Sequence, residues 1–136
     1  LTLTFRRVAE ARPRVYLSLL LDTLARQRAV WGAGSIQDGR YRREIAWALH
    51  RAELGDQATC WSEDAAAMLA AHDSVRLEAV DILVEHAQWQ LDHDDRGLAA
   101  QLLQRAETLL ARTPGAPGDV AGRLRDALRR ARDPGD

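Results

Sequence analysis

The side chains best suited to chemistry gather in one stretch. Asp92-His93-Asp94-Asp95 sets three carboxylates and an imidazole in four consecutive positions, and Asp81, Glu85 and His86 precede them at helical spacing. Hard carboxylate oxygens suit Mg²⁺, and an imidazole among carboxylates suits proton transfer. Neither chemistry is completed. No second acidic motif pairs with the run, and the Glu-x-x-His pairs of a di-iron bundle are absent. Aspartates at the start of a helix also serve the macrodipole without any ligand. The run therefore reads as a turn and cap between two helices, and His86 as an interior histidine. Cys60 has no basic neighbour in sequence to activate it as a nucleophile. Glycine patterns for phosphates or dinucleotides are missing, so no catalytic residue, metal ligand or cofactor is expected.

Recognition chemistry is better represented. Of the four tryptophans, Trp31 and Trp61 fit core stripes, whereas Trp47 and Trp89 lie nearer the flanks, where an exposed indole would anchor a peptide. Arg123, Arg125, Arg129, Arg130 and Arg132 crowd one terminal segment. They could grip phosphates. Without lysines, interleaved aromatics or a helix-turn-helix pattern, an acidic protein surface is the expected counterpart and nucleic acid is disfavoured.

The charge map supports that choice. The 136 residues carry a net charge of −1, with all nineteen basic side chains being arginine. Residues 1–52 hold ten arginines against four acids, residues 53–95 one against eleven, and residues 96–136 eight against five. Such segregation reads first as solvated helix faces; the alternative is an acidic centre that closes on its basic ends or draws a second copy head to tail. The lone cysteine suits a reducing compartment. No apolar run reaches the length that spans a bilayer, and Val15–Leu21 lacks the flanks of a secretory signal. A cytoplasmic protein with no membrane partner is expected. Because the chain starts on Leu1, a longer parent or a trimmed terminus is expected too.

The elements that position these groups read as helices. A short helix capped by Thr4 is expected first. After Pro13, a stripe of Leu17, Leu20, Leu21, Leu24 and Trp31, widened by Tyr16 and Leu19, runs to Gly32-Ala33-Gly34-Ser35. Asp38-Gly39 prolongs that turn. A helix from about Arg40 to Leu54 carries Tyr41, Ile45, Ala48, Leu49 and Ala52. The next is capped by Asp56 or Ser62 and carries Trp61, Ala65, Met68 and Leu69 to Ala71. Val75 to Leu91 has two apolar stripes, as expected of a helix with neighbours on both sides. Arg96 to Ala111 follows, then a linker at 113–118, then a basic amphipathic helix at 119–132. At this length one domain is expected, with the helical core at 13–111.

A shift of 34 residues maps Ile45, Ala46, Ala48 and Leu49 onto Ala79, Val80, Ile82 and Leu83, and Ala65, Ala66, Met68 and Leu69 onto Ala99, Ala100, Leu102 and Leu103. In one register Leu49-x-x-Ala52-Glu53-x-x-Asp56 and Ala65-x-x-x-Leu69 stand beside Leu83-x-x-His86-Ala87-x-x-Gln90 and Ala99-x-x-x-Leu103-x-x-Ala106. Residues 41–111 thus resemble tetratricopeptide repeats, most clearly in the second helix of each pair. The Leu-Gly pair, its following aromatic and the closing proline are absent. The resemblance implies an all-α stack of antiparallel helical hairpins, a short α-solenoid of six to seven helices. A closed helical bundle is the alternative. The concave side that the tetratricopeptide resemblance implies for the stack would display Trp47, His50, Arg51, Asp81, Val84, Glu85 and Gln88. With Trp89 added and Val84, which sits in an apolar stripe, left out, these are the expected partner-binding residues.

The function expected is therefore non-enzymatic: an adaptor, scaffold or regulatory piece that holds a peptide, a partner helix or a second copy of itself. Two alternatives stand beside it. One is a helical-bundle ligand-binding protein or enzyme with a pocket around His86, Asp81 and Glu85. The other is a nucleic-acid-associated regulator using the terminal arginines.

Overall fold

Ser35 and Asp38 decide where the first connection ends. The structure, a computed structural model, describes residues 13–132; the helix expected to be capped by Thr4 lies outside them. Helix α1 (Pro13–Trp31) stops at Gly32, whose φ of 81° is open to glycine at no steric cost. Ser35 then caps α2 (Ile36–Arg51): its hydroxyl accepts the Asp38 N–H at 3.1 Å, while the Asp38 carboxylate accepts the Gly34 N–H at 2.8 Å. These two capping bonds let α2 begin four residues earlier than the apolar pattern suggested. Asp38-Gly39, expected as turn, is helix.

Five further elements follow. They are α3 (Gly55–Ala70), a 3₁₀ turn (Asp73–Val75), α4 (Arg76–Asp92), α5 (Arg96–Ala111) and α6 (Gly118–Arg132). The described residues form an all-α protein whose helices pack on neighbours in sequence. No helix among them is long and apolar enough to cross a membrane. The chain gathers into two compact units, Leu1–Met68 and Leu69–Asp136, divided in the last turn of α3.

In the first unit, α1 packs on α2, and a four-residue connection makes the two antiparallel. Tyr16, Leu20 and Leu24 meet Ile45, Ala48, Leu49 and Ala58, with Tyr41, Trp47, Leu54 and Trp61 partly buried against them. Trp31 departs from expectation: it is 58% exposed, as is neighbouring Val30 at 74%. The last buried residue of α1 is Leu24, about two helical turns before Trp31. Leu19 and Leu21 are likewise exposed. Ser62, expected as a possible cap, is buried inside α3 and donates to the Ala58 carbonyl at 2.8 Å.

In the second unit, α4 packs against both α5 and α6. Its two stripes, Ala79, Ile82, Leu83 and His86 on one side and Val80, Val84, Ala87 and Leu91 on the other, are all buried. Leu102, Leu103, Ala99 and Ala106 of α5 and Val120, Leu124 and Ala127 of α6 are buried with them. Asp95 caps α5 by accepting the Leu98 N–H at 3.1 Å.

The connections α2–α3 and α4–α5 match each other at a shift of 41 residues. Helix α3 starts at residue 55 and ends at 70, and α5 starts at 96 and ends at 111, a shift of 41 at both ends. Their connections match bond for bond. Glu53 and Asp94, the non-glycine residues with positive φ among those described, sit at the centre of each at 62° and 60°. Leu54 N–H donates to Leu49 O at 2.9 Å and Glu53 N–H to His50 O at 3.0 Å; Asp95 N–H donates to Gln90 O at 2.8 Å and Asp94 N–H to Leu91 O at 3.1 Å. Both are the paired bonds that close a helix through a left-handed residue. At this shift Ala46 falls on Ala87, Ala58 on Ala99 and Ala65 on Ala106, all buried. The 34-residue match arises because it differs by seven residues, about two helical turns, which preserves the face while displacing the boundaries.

Candidate functional site

Helix α6 carries three parallel rows of side chains. Arg123 and Arg130 reach α4, where they bond Asp81 at 2.8 Å and Asp92 at 2.7 Å. These pairs place the C-terminal arginines partly on the chain's own acidic centre. Val120, Leu124 and Ala127 fill the interior. The third row, Arg125, Arg129 and Arg132, recurs at intervals of four and three residues and is exposed. Among the described residues none of these three forms an ion pair.

That third row borders a groove of about 620 Å³ between α5 and α6. Leu110 and Ala111 of α5 and Ala121, Leu124 and Leu128 of α6 make its apolar floor, with Glu107 on the opposite lip. From Ala121 to Arg132 the groove follows α6 for about 16 Å, the length of a three-turn helix. A smaller, polar cavity of about 410 Å³ lies on the other side, among Asp92, Asp94, Arg96, Asp126, Arg129 and Arg130. It holds charges of both signs in near balance. The groove, by contrast, joins an apolar trough to a cationic border, which suits an amphipathic chain segment.

The expected partner-binding residues fall into two groups. In the first unit, Trp47 is half-buried, its ring edge-on to Tyr16 at 6.1 Å, and the Arg51 guanidinium lies over it at 5.7 Å. His50 is buried, 4% exposed, so it is not displayed as expected; the last turn of α2 faces inward there to seat Leu49 and His50. Arg51 is exposed. In the second unit, Asp81 is half-buried and engaged by Arg123, and Val84 is buried, as its apolar stripe required. Glu85 is exposed and Gln88 half-buried. Trp89 is half-buried, stacked on His93 at 3.8 Å, with the His93 Nδ1–H donating to the Trp89 carbonyl at 2.9 Å.

His86, the centre of the alternative ligand-pocket reading, sits in the interior of α4. His86 is 1% exposed within a packed stripe, and it lines neither cavity. Among the described residues no three His, Cys, Asp or Glu side chains converge as metal ligands. In the acidic run, Asp92 pairs with Arg130, Asp94 adopts the left-handed turn conformation and Asp95 caps α5. Cys60 is exposed.

Two features escaped the sequence reading. The groove was foreshadowed only by the spacing of Arg125, Arg129 and Arg132 beside Ala121, Leu124 and Leu128. Asp38 gave no sign of its role. It is 1% exposed, accepts the Arg42 Nε–H at 3.1 Å and lies 3.6 Å from Arg28 Nε. Arg42 in turn lies 3.7 Å from Asp64 and over the Trp61 ring at 5.2 Å. The chain matches no protein-family model, no curated protein and no solved structure.

Proposed function

We propose that this protein is a non-enzymatic helical interaction module of the cytoplasm, acting as an adaptor or regulatory piece that holds a segment of a protein partner. One observation carries the reading: the 620 Å³ groove between α5 and α6, with an apolar floor and three arginines along one border. A trough of leucine and alanine with no nucleophile beside a base offers shape and burial rather than bond chemistry. The exposed lone cysteine fits a reducing compartment.

Peptide display against the immobilised protein tests this. Helical peptides should be enriched, and most should lose binding to an Ala121→Trp variant, whose indole fills the groove from an exposed position. Enrichment of no peptide that distinguishes the variant from the natural chain would overturn the reading.

A further inference from the structure

The 41-residue repeat identifies what the groove is shaped to receive. Helix α6 follows α4 at nearly the same spacing as α5 follows α3, residues 118–132 against 76–92. At the shift of 41, Ala121, Leu124, Arg125, Leu128 and Arg132 of α6 correspond to Val80, Leu83, Val84, Ala87 and Leu91 of α4. Every one of those α4 residues is buried. On α6 only Leu124 is; Leu128 is half-buried, and Ala121, Arg125 and Arg132 are exposed. The row on α6 that borders the groove is thus the counterpart of a row that other helices cover on α4. Three substitutions separate the rows in character: arginine replaces Val84, Gln88 and Leu91 at positions 125, 129 and 132.

We infer that the groove binds an acidic amphipathic α-helix from a partner protein, seated on α6 as α5 is seated on α4. The inference rests on the interaction-module reading above and gives the partner its chemistry. The incoming helix needs a narrow stripe of alanine and leucine, like Ala99, Leu102, Leu103 and Ala106 of α5, to enter a trough of Leu110, Leu124 and Leu128. It needs glutamate or aspartate beside that stripe at spacings of four and three residues, to meet Arg125, Arg129 and Arg132. Nucleic acid fits less well. Its phosphates would satisfy the arginines, while the leucine floor offers a backbone nothing to bond.

Dye-labelled 16-residue peptides titrated into the full chain, read by fluorescence anisotropy, test the inference. All carry the α5 stripe; the flanking positions are glutamate in one, glutamine in the second and lysine in the third. The glutamate peptide should bind about tenfold tighter than the glutamine peptide, as expected for a few exposed ion pairs. That advantage should shrink between 0.05 and 0.5 M salt, roughly the range over which screening becomes short-ranged. R125E/R129E, which alters two exposed side chains, should reverse the order and favour lysine. Equal binding of all three peptides overturns the acidic preference and leaves the groove reading standing. Binding of none overturns both. Binding of a 20-base-pair DNA duplex that R125E/R129E abolishes, with no peptide bound, replaces the inference by nucleic-acid contact. Concentration-dependent dimerisation lost in the same variant replaces it by a second copy of the chain.

Discussion

Replacing Asp38 by alanine should be among the most damaging single changes to the first unit. The carboxylate is 1% exposed and accepts two N–H groups, from Gly34 at 2.8 Å and from Arg42 at 3.1 Å, with Arg28 Nε 3.6 Å away. Loss of the bond that the carboxylate accepts from Gly34 costs about 1 kcal/mol, and loss of a charge-assisted bond to a guanidinium that is 13% exposed costs about 2 kcal/mol more. D38A should therefore lose about 3 kcal/mol, or about 10 °C in Tm for a chain of this length. D38N keeps an acceptor for the Gly34 N–H, which alanine lacks, and should lose about half as much. S35A removes one capping bond and should cost about 1 kcal/mol. Urea unfolding followed by far-UV circular dichroism and tryptophan fluorescence measures all three, with m-values unchanged if the loss is in the folded state. A D38A midpoint equal to that of the natural chain, or D38N falling below D38A, would refute the assignment of Asp38 as the buried link between the α2 cap and the arginines.

Two other outcomes follow from the second unit and its counterpart in the first. R123A and R130A each break an ion pair that is about half-exposed on the arginine side, 52% and 53%; each should cost under about 1 kcal/mol, and the cost should vanish in molar salt. Thermal melts at low and high salt read this. Glu53→Gly and Asp94→Gly relieve a left-handed backbone that costs a side-chain-bearing residue about 1–2 kcal/mol, partly offset by glycine's looser unfolded chain. Each should raise stability by about 0.5 kcal/mol, and by similar amounts, because the two connections share the same bonds. Opposite signs in chemical denaturation would show that the hairpins are not equivalent.

The periodicity of apolar residues and the Gly, Pro and Asp breaks between them determine the helices. Arg96–Ala111 is bounded as read, and both stripes of α4 are buried. Those signals are local: a 3.6-residue repeat names a face, and a cap names an end. Which helix meets that face is a matter of tertiary structure. Trp31 lies in register with Leu24 yet remains in solvent, because the buried cluster that α1 joins ends at Leu24. Asp38-Gly39 has the composition of a turn and becomes helix, because Gly34, Arg42 and Arg28 converge on the Asp38 carboxylate while Ser35 accepts its backbone N–H. Five C-terminal arginines look alike in sequence. Packing on α4 turns Arg123 and Arg130 toward aspartates and leaves Arg125, Arg129 and Arg132 along a groove, since residues four and three apart share a face and residues two apart do not.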